Sequence, residues 1–132
     1  MAQRALFPPG SHAAASQIKV SPGVISNGHV FLTGVTGSLP DGTMPLELEV
    51  QIRSAFEKIG AVLAEADLTH AAIVEMTSYH VDLSEHFDLF NTIRSDYVRD
   101  PFPAWTAVEV AGLRRPGAVV EIRVIAALPI KG

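Results

Sequence analysis

The chain has 132 residues, 48% of them hydrophobic, and a formal net charge of -4, so it is expected to form one domain with its own core. Its ten basic residues are scattered, which argues against a surface built to neutralise nucleic-acid phosphates, and without cysteine it has neither a disulfide framework nor a thiol nucleophile. The N-terminus MAQRALFPPG lacks an apolar leader core and no window approaches the roughly eighteen apolar residues of a membrane span, so a soluble, cytoplasmic protein with no membrane partner is expected.

Residues 1–15, rich in Pro, Gly, Ser and Ala, read as a flexible N-terminal arm, and residues 16–132 as a single domain. Gln17 to Val20 and Gly23 to Ser26 read as short strands around Pro22. Asn27-Gly28, a frequent tight-hairpin dipeptide, leads into a strand from His29 to Gly34. The turn-rich loop that follows, with Gly37 and Asp41-Gly42, has no Walker spacing, and no cofactor is expected.

From Leu46 to Ala66, Leu48, Ile52, Phe56, Ile59 and Leu63 recur every three or four residues, the pattern of an amphipathic helix. Glu47, Glu49, Arg53, Glu57 and Lys58 read as its solvated face. Residues 71–81 read as a strand, and a second helix, capped by Asp82 with Glu85 or by Ser84, runs to about Val98 with Phe87, Phe90, Ile93 and Tyr97 as its apolar stripe. Pro101 and Pro103 end it, and two strands with two-residue alternation follow, Ala104 to Ala111 and Val119 to Ala126, joined by the loop Gly112 to Gly117. Glu121 and Arg123 share one face of the last strand.

The C-terminal pattern P-A-x-T-x-V-E-V-x-x-L, a short loop, then V-E-I-x-x-I-A, resembles the RidA/YjgF family of enamine/imine deaminases, also called the endoribonuclease L-PSP family. Val20-Ser21-Pro22, Asn27 to Gly34 and the helix carrying Asn91 extend the resemblance over about residues 18–128. It implies a chorismate-mutase-like α+β fold, β-β-α-β-α-β-β, with two helices on one face of a mixed sheet. It also implies a homotrimer with intersubunit pockets for a small-molecule substrate, and no nucleic-acid partner.

The resemblance assigns Glu121 to the glutamate that positions or activates water for C=N hydrolysis, with a structural carboxylate as the alternative. Asn91, Ala107, Thr33 and Gly34 become pocket residues. At the family's carboxylate-clamping Arg this chain has Trp105, which has one N–H donor and no charge. A more apolar pocket is therefore expected, taking an uncharged or aromatic imine. Arg123 has two readings, a substitute anion site or an ion pair with Glu121 or Glu109. His80, Asp82 and His86 superficially resemble a two-histidine, one-carboxylate set, but surface and capping roles are preferred and no metal site is expected. The competing functional reading is a non-catalytic trimer that binds a small metabolite or has a regulatory role, with Trp105 filling the pocket.

Overall fold

In the computed structural model, which describes residues 3–130, strand β7 (Val120–Ala127) has a different partner on each side. One edge pairs antiparallel with β5 (Ile73–His80); the other pairs first with β4 (Val35–Thr36) and then with β3 (His29–Leu32). Val120, Ile122, Val124 and Ala126 are buried while Glu121, Arg123 and Ile125 are less so, because successive side chains of a strand point to opposite faces. β3 continues outward to β2 (Gly23–Ser26) and β1 (Gln3–Leu6), and β6 (Ala104–Glu109) lies on the far side of β5. The sheet is thus seven-stranded and mixed, with β5–β6 as its parallel pair.

The helices cover one face. Helix α2 (Leu48–Ala64) buries Ile52, Ala55, Phe56, Ile59, Val62 and Leu63, and packs on β4, β7 and helix α3 (Leu83–Arg94). Helix α3 contributes Phe90 and Ile93 to the same core. The expected α+β fold with two main helices on a mixed sheet is therefore present. The other face, with Phe31, Thr77, Tyr79, Val108 and Arg123, carries no helix.

The Asn27-Gly28 hairpin forms as its sequence predicts, both residues taking positive φ (50° and 82°) between β2 and β3. Other details differ. Within the stretch read as an arm, Gln3–Leu6 pairs with β2 and helix α1 (His12–Gln17) follows. Residues 17–20 are not a strand: Val20 N–H turns back to the Ala15 carbonyl, with Lys19 at φ 59°. Asp82 does not cap α3 with its side chain; it takes φ 58°, and Glu109 Oε1 on β6 accepts from the Leu83 N–H instead. A carboxylate from another strand thus occupies the positive end of the helix. The last two strands are not neighbours, because β5 lies between them.

Candidate functional site

Between β3 and β4 the chain crosses the edge of β7 through Thr33 and Gly34. This break leaves a cavity of about 380 Å³, floored by Gly34, Val35, Thr36 and Glu121 and walled by Ile18, Val20 and Thr33. Thr33 is fixed by its hydroxyl, which donates to the Ser21 carbonyl at 2.7 Å, and by its N–H to the Pro22 carbonyl at 3.0 Å. Glu121 pairs in register with Thr36 on β4 and Tyr79 on β5. Its carboxylate lies where residue 34 has room only for hydrogen: a Cβ at Gly34 would stand 2.5 Å from Glu121 Oε2. Among the described residues Glu121 forms no ion pair, so its oxygens are free to accept from water or a ligand.

The remaining wall carries three cationic side chains that the sequence pattern does not place at a site. Lys58 of α2 reaches the cavity and its Nζ donates to Ser38 Oγ at 2.9 Å. Arg114 and Arg115 come from the loop before β7, where Arg115 Nη2 donates to the Gly42 carbonyl at 2.9 Å. Burial, and secondarily the Arg115 charge, pull the Lys58 ammonium down to about 8. These groups were missed because Lys58 reads as solvated helix and the arginines as loop. A signal was present, however: Lys58 follows Ala55 by three and Gln51 by seven, at the border of the buried stripe.

The other candidates lie elsewhere. Trp105 and Ala107 point to the helix-covered face, opposite buried Met76 and Ser78 of β5. The Trp105 indole lies parallel to the Phe87 ring at 5.5 Å, has the Arg94 guanidinium 3.8 Å from its centroid, and donates Nε1–H to Ser78 Oγ at 2.9 Å. Asn91 joins that group, its Oδ1 accepting from Arg94 Nε at 3.2 Å. Within one chain, then, Trp105 neither stacks over Glu121 nor plugs its cavity. Arg123 lies opposite Thr77 on the uncovered face, and its expected ion pair with Glu121 or Glu109 is absent among the described residues.

His80 and His86 do meet, Nδ1 to Nε2 at 3.2 Å, in a buried setting, while His80 Nε2 is 2.7 Å from Ser78 Oγ. Asp82 does not complete a ligand set, and no cluster of three metal-ligating side chains occurs among the described residues. His70, which the sequence leaves without a partner, bonds through Nε2 to the Phe56 carbonyl of α2 at 2.8 Å.

Comparison with known proteins agrees with this fold. The family model described as Endoribonuclease L-PSP matches residues 10–128. RutC family protein YjgH of Escherichia coli (strain K12) is 36% identical over 126 residues, 95% of each chain. Reactive Intermediate Deaminase A, chloroplastic, of Arabidopsis thaliana is 32% identical over 110 residues, 82% of this chain and 58% of that one. The solved structure of protein YJGH superposes with a TM-score of 0.88 at 34% identity, over 99% of this chain and 100% of that one.

Proposed function

The chain belongs to the endoribonuclease L-PSP family, also known as RidA/YjgF, and on that premise we propose that it hydrolyses a reactive enamine or imine metabolite to a carbonyl compound and ammonia. The observation that carries this reading is the unpaired Glu121 carboxylate at the floor of a ligand-sized cavity, held over Gly34. A carboxylate so placed can accept a proton from water as the oxygen attacks a C=N carbon. Substrate range would depart from the family's because Trp105, held by Arg94, Phe87 and Ser78, supplies no guanidinium and does not line this cavity, which leaves Arg114 and Arg115 as its guanidinium groups. The helix-free sheet face, with Phe31 and Val108 exposed, is the surface that further copies would cover in a homotrimer. Ribonuclease chemistry fits less well, because the cations at this site are gathered into one cavity on a chain of net charge -4.

The test is ammonia release from 2-aminoacrylate generated in situ and from a panel of uncharged and aromatic imines, with wild type and Glu121→Ala compared. Turnover that falls by about 10²-fold or more in Glu121→Ala supports hydrolysis with Glu121 as base. If wild type, trimeric by light scattering, turns over none of them, the non-catalytic metabolite-binding trimer replaces it.

A further inference from the structure

Lys58 occupies the cavity wall in a state that a lysine on a solvated helix face does not share. Its side chain is partly buried, its Nζ has the neutral hydroxyl of buried Ser38 as its hydrogen-bond partner, and no carboxylate comes within ion-pair distance among the described residues. The loop facing it supplies Arg114 and Arg115, and although the Glu121 carboxylate lines the same cavity it forms no ion pair with Lys58, so the charge that acts on the ammonium is that of Arg115. A lysine withdrawn from water beside a second cation gives up its proton readily and becomes a nucleophile. With the ammonium pulled down to about 8, about a tenth of the molecules carry the neutral amine at pH 7, against fewer than one in a thousand for an ordinary lysine.

We propose that Lys58 captures small carbonyl compounds in this cavity as a covalent imine, with 2-oxo acids as the preferred class. The Nζ lone pair forms a bond to the carbonyl carbon, and the amine proton passes to the carbonyl oxygen to give a carbinolamine. Its hydroxyl leaves as water, so amine and carbonyl become imine and water, with no oxidant or reductant. The guanidinium groups of Arg114 and Arg115, lining the same cavity, favour a ligand whose carbonyl adjoins a carboxylate. The inference rests on the reading of this cavity as the ligand site. It extends that reading because a carbonyl compound is what C=N hydrolysis there would release. With an imine ligand, the same amine would exchange and expel ammonia.

The experiment is reductive trapping of the full chain with pyruvate, and with propionaldehyde as an uncharged comparison, using cyanoborohydride and peptide mapping by mass spectrometry. The chain has three lysines, Lys19, Lys58 and Lys131, so the adduct is assignable. The expected result is a pyruvate adduct on Lys58 at least about tenfold above exposed Lys19 at pH 7, rising with pH to a midpoint near 8. It should be absent in Lys58→Met, and reduced severalfold at pH 7 in Arg115→Ala, in which the Lys58 ammonium holds its proton more tightly. Labelling spread evenly over the lysines, or none at Lys58, overturns the proposal. Ammonia release measured in parallel keeps the two readings apart. Turnover without an adduct in wild type removes carbonyl capture alone; an adduct without turnover removes hydrolysis and leaves capture standing.

Discussion

His80 Nδ1 lies 3.2 Å from His86 Nε2, in a chain of hydrogen bonds that begins at Trp105. The Trp105 Nε1–H can only donate, so Ser78 Oγ accepts it, and His80 Nε2 is the acceptor left for the Ser78 hydroxyl hydrogen. His80 then carries its proton on Nδ1 and donates to His86 Nε2. In this arrangement of protons both rings are neutral, and a further proton on either of the bonded ring nitrogens would set donor against donor.

This relationship predicts an acid-sensitive core. Burial, with the charge of His86 second, pushes His80 down to about 4, and burial lowers His86 against the opposing effects of Asp82 and Glu85. The unfolded chain protonates these rings near 6.5, so between about 6.5 and 4 it binds more protons than the native state and stability falls as pH falls. Urea midpoints measured from pH 8 to 4.5 should drop across that window. His80→Gln should be about 1–3 kcal/mol less stable than wild type at pH 7.5, with the gap narrowing toward pH 4.5. A gap independent of pH would show that the pair does not titrate on unfolding.

What the sequence shows and hides divides along the range of the forces involved. The Asn27-Gly28 turn, the helix stripe from Ile52 to Leu63 and the alternation of Val120 to Ala126 are set by neighbours a few residues apart, and all three can be read from the chain. The insertion of β5 between β6 and β7 depends on pairing His80 with Val120 on one side and Glu109 on the other, which no local pattern records. The same is true of the site. Glu121 and Gly34 follow from the motif, but Lys58 and Arg115 come together only because α2 is laid beside the loop before β7. The motif resemblance sets Trp105 where an arginine is expected, but no local pattern records that its strand face directs it onto α3.

Gly34 and Gly37 should respond to the same substitution in opposite ways. A Cβ at Gly34 meets the far end of Glu121, which can rotate away, so Gly34→Ala should change the melting temperature little while displacing the carboxylate and lowering turnover or ligand binding by about tenfold or more. At Gly37 the Cβ would collide with the backbone carbonyl of Gln51 on α2, which cannot yield without moving the helix. Gly37→Ala should therefore cost about 3 kcal/mol or more. Circular-dichroism melts alongside the ammonia assay separate the two; equal destabilisation would place the Glu121 side chain on a rigid contact rather than a movable one.

Placing an arginine at residue 105, as the motif resemblance suggests, should be harmful in this background. Trp105→Arg would set a second guanidinium against Arg94, which now lies 3.8 Å from the indole centroid, and would remove the face that Phe87 packs on. A loss of about 2–4 kcal/mol is expected. Arg94→Glu added to Trp105→Arg should recover about 1 kcal/mol by turning repulsion into a pair. If Trp105→Arg alone is as stable as wild type by urea denaturation, the indole is not held as described.

Gln51 joins the fold to the site, and its chemistry can be tested without touching the cavity. It is 2% exposed; Nε2 donates to the Pro45 carbonyl at 2.9 Å and the Gly117 carbonyl at 3.2 Å, and Oε1 accepts from the Val119 N–H at 2.7 Å. One side chain thus clamps the entry to α2 and the loop that carries Arg114 and Arg115. Gln51→Leu keeps the bulk but takes the side-chain partner from three part-buried backbone groups, for an expected cost of about 1–3 kcal/mol. Gln51→Glu retains an acceptor for Val119 but turns a carboxylate toward two carbonyls, so it should be the less stable variant at pH 7.5. Lowering the pH protonates that carboxyl and restores one donor, so Gln51→Glu should gain on Gln51→Leu between pH 7.5 and 5, the reverse of the trend set by the buried histidines. Parallel urea titrations of the two variants decide the point, because a ranking that does not move with pH would mean that the amide fills space without bonding the loop.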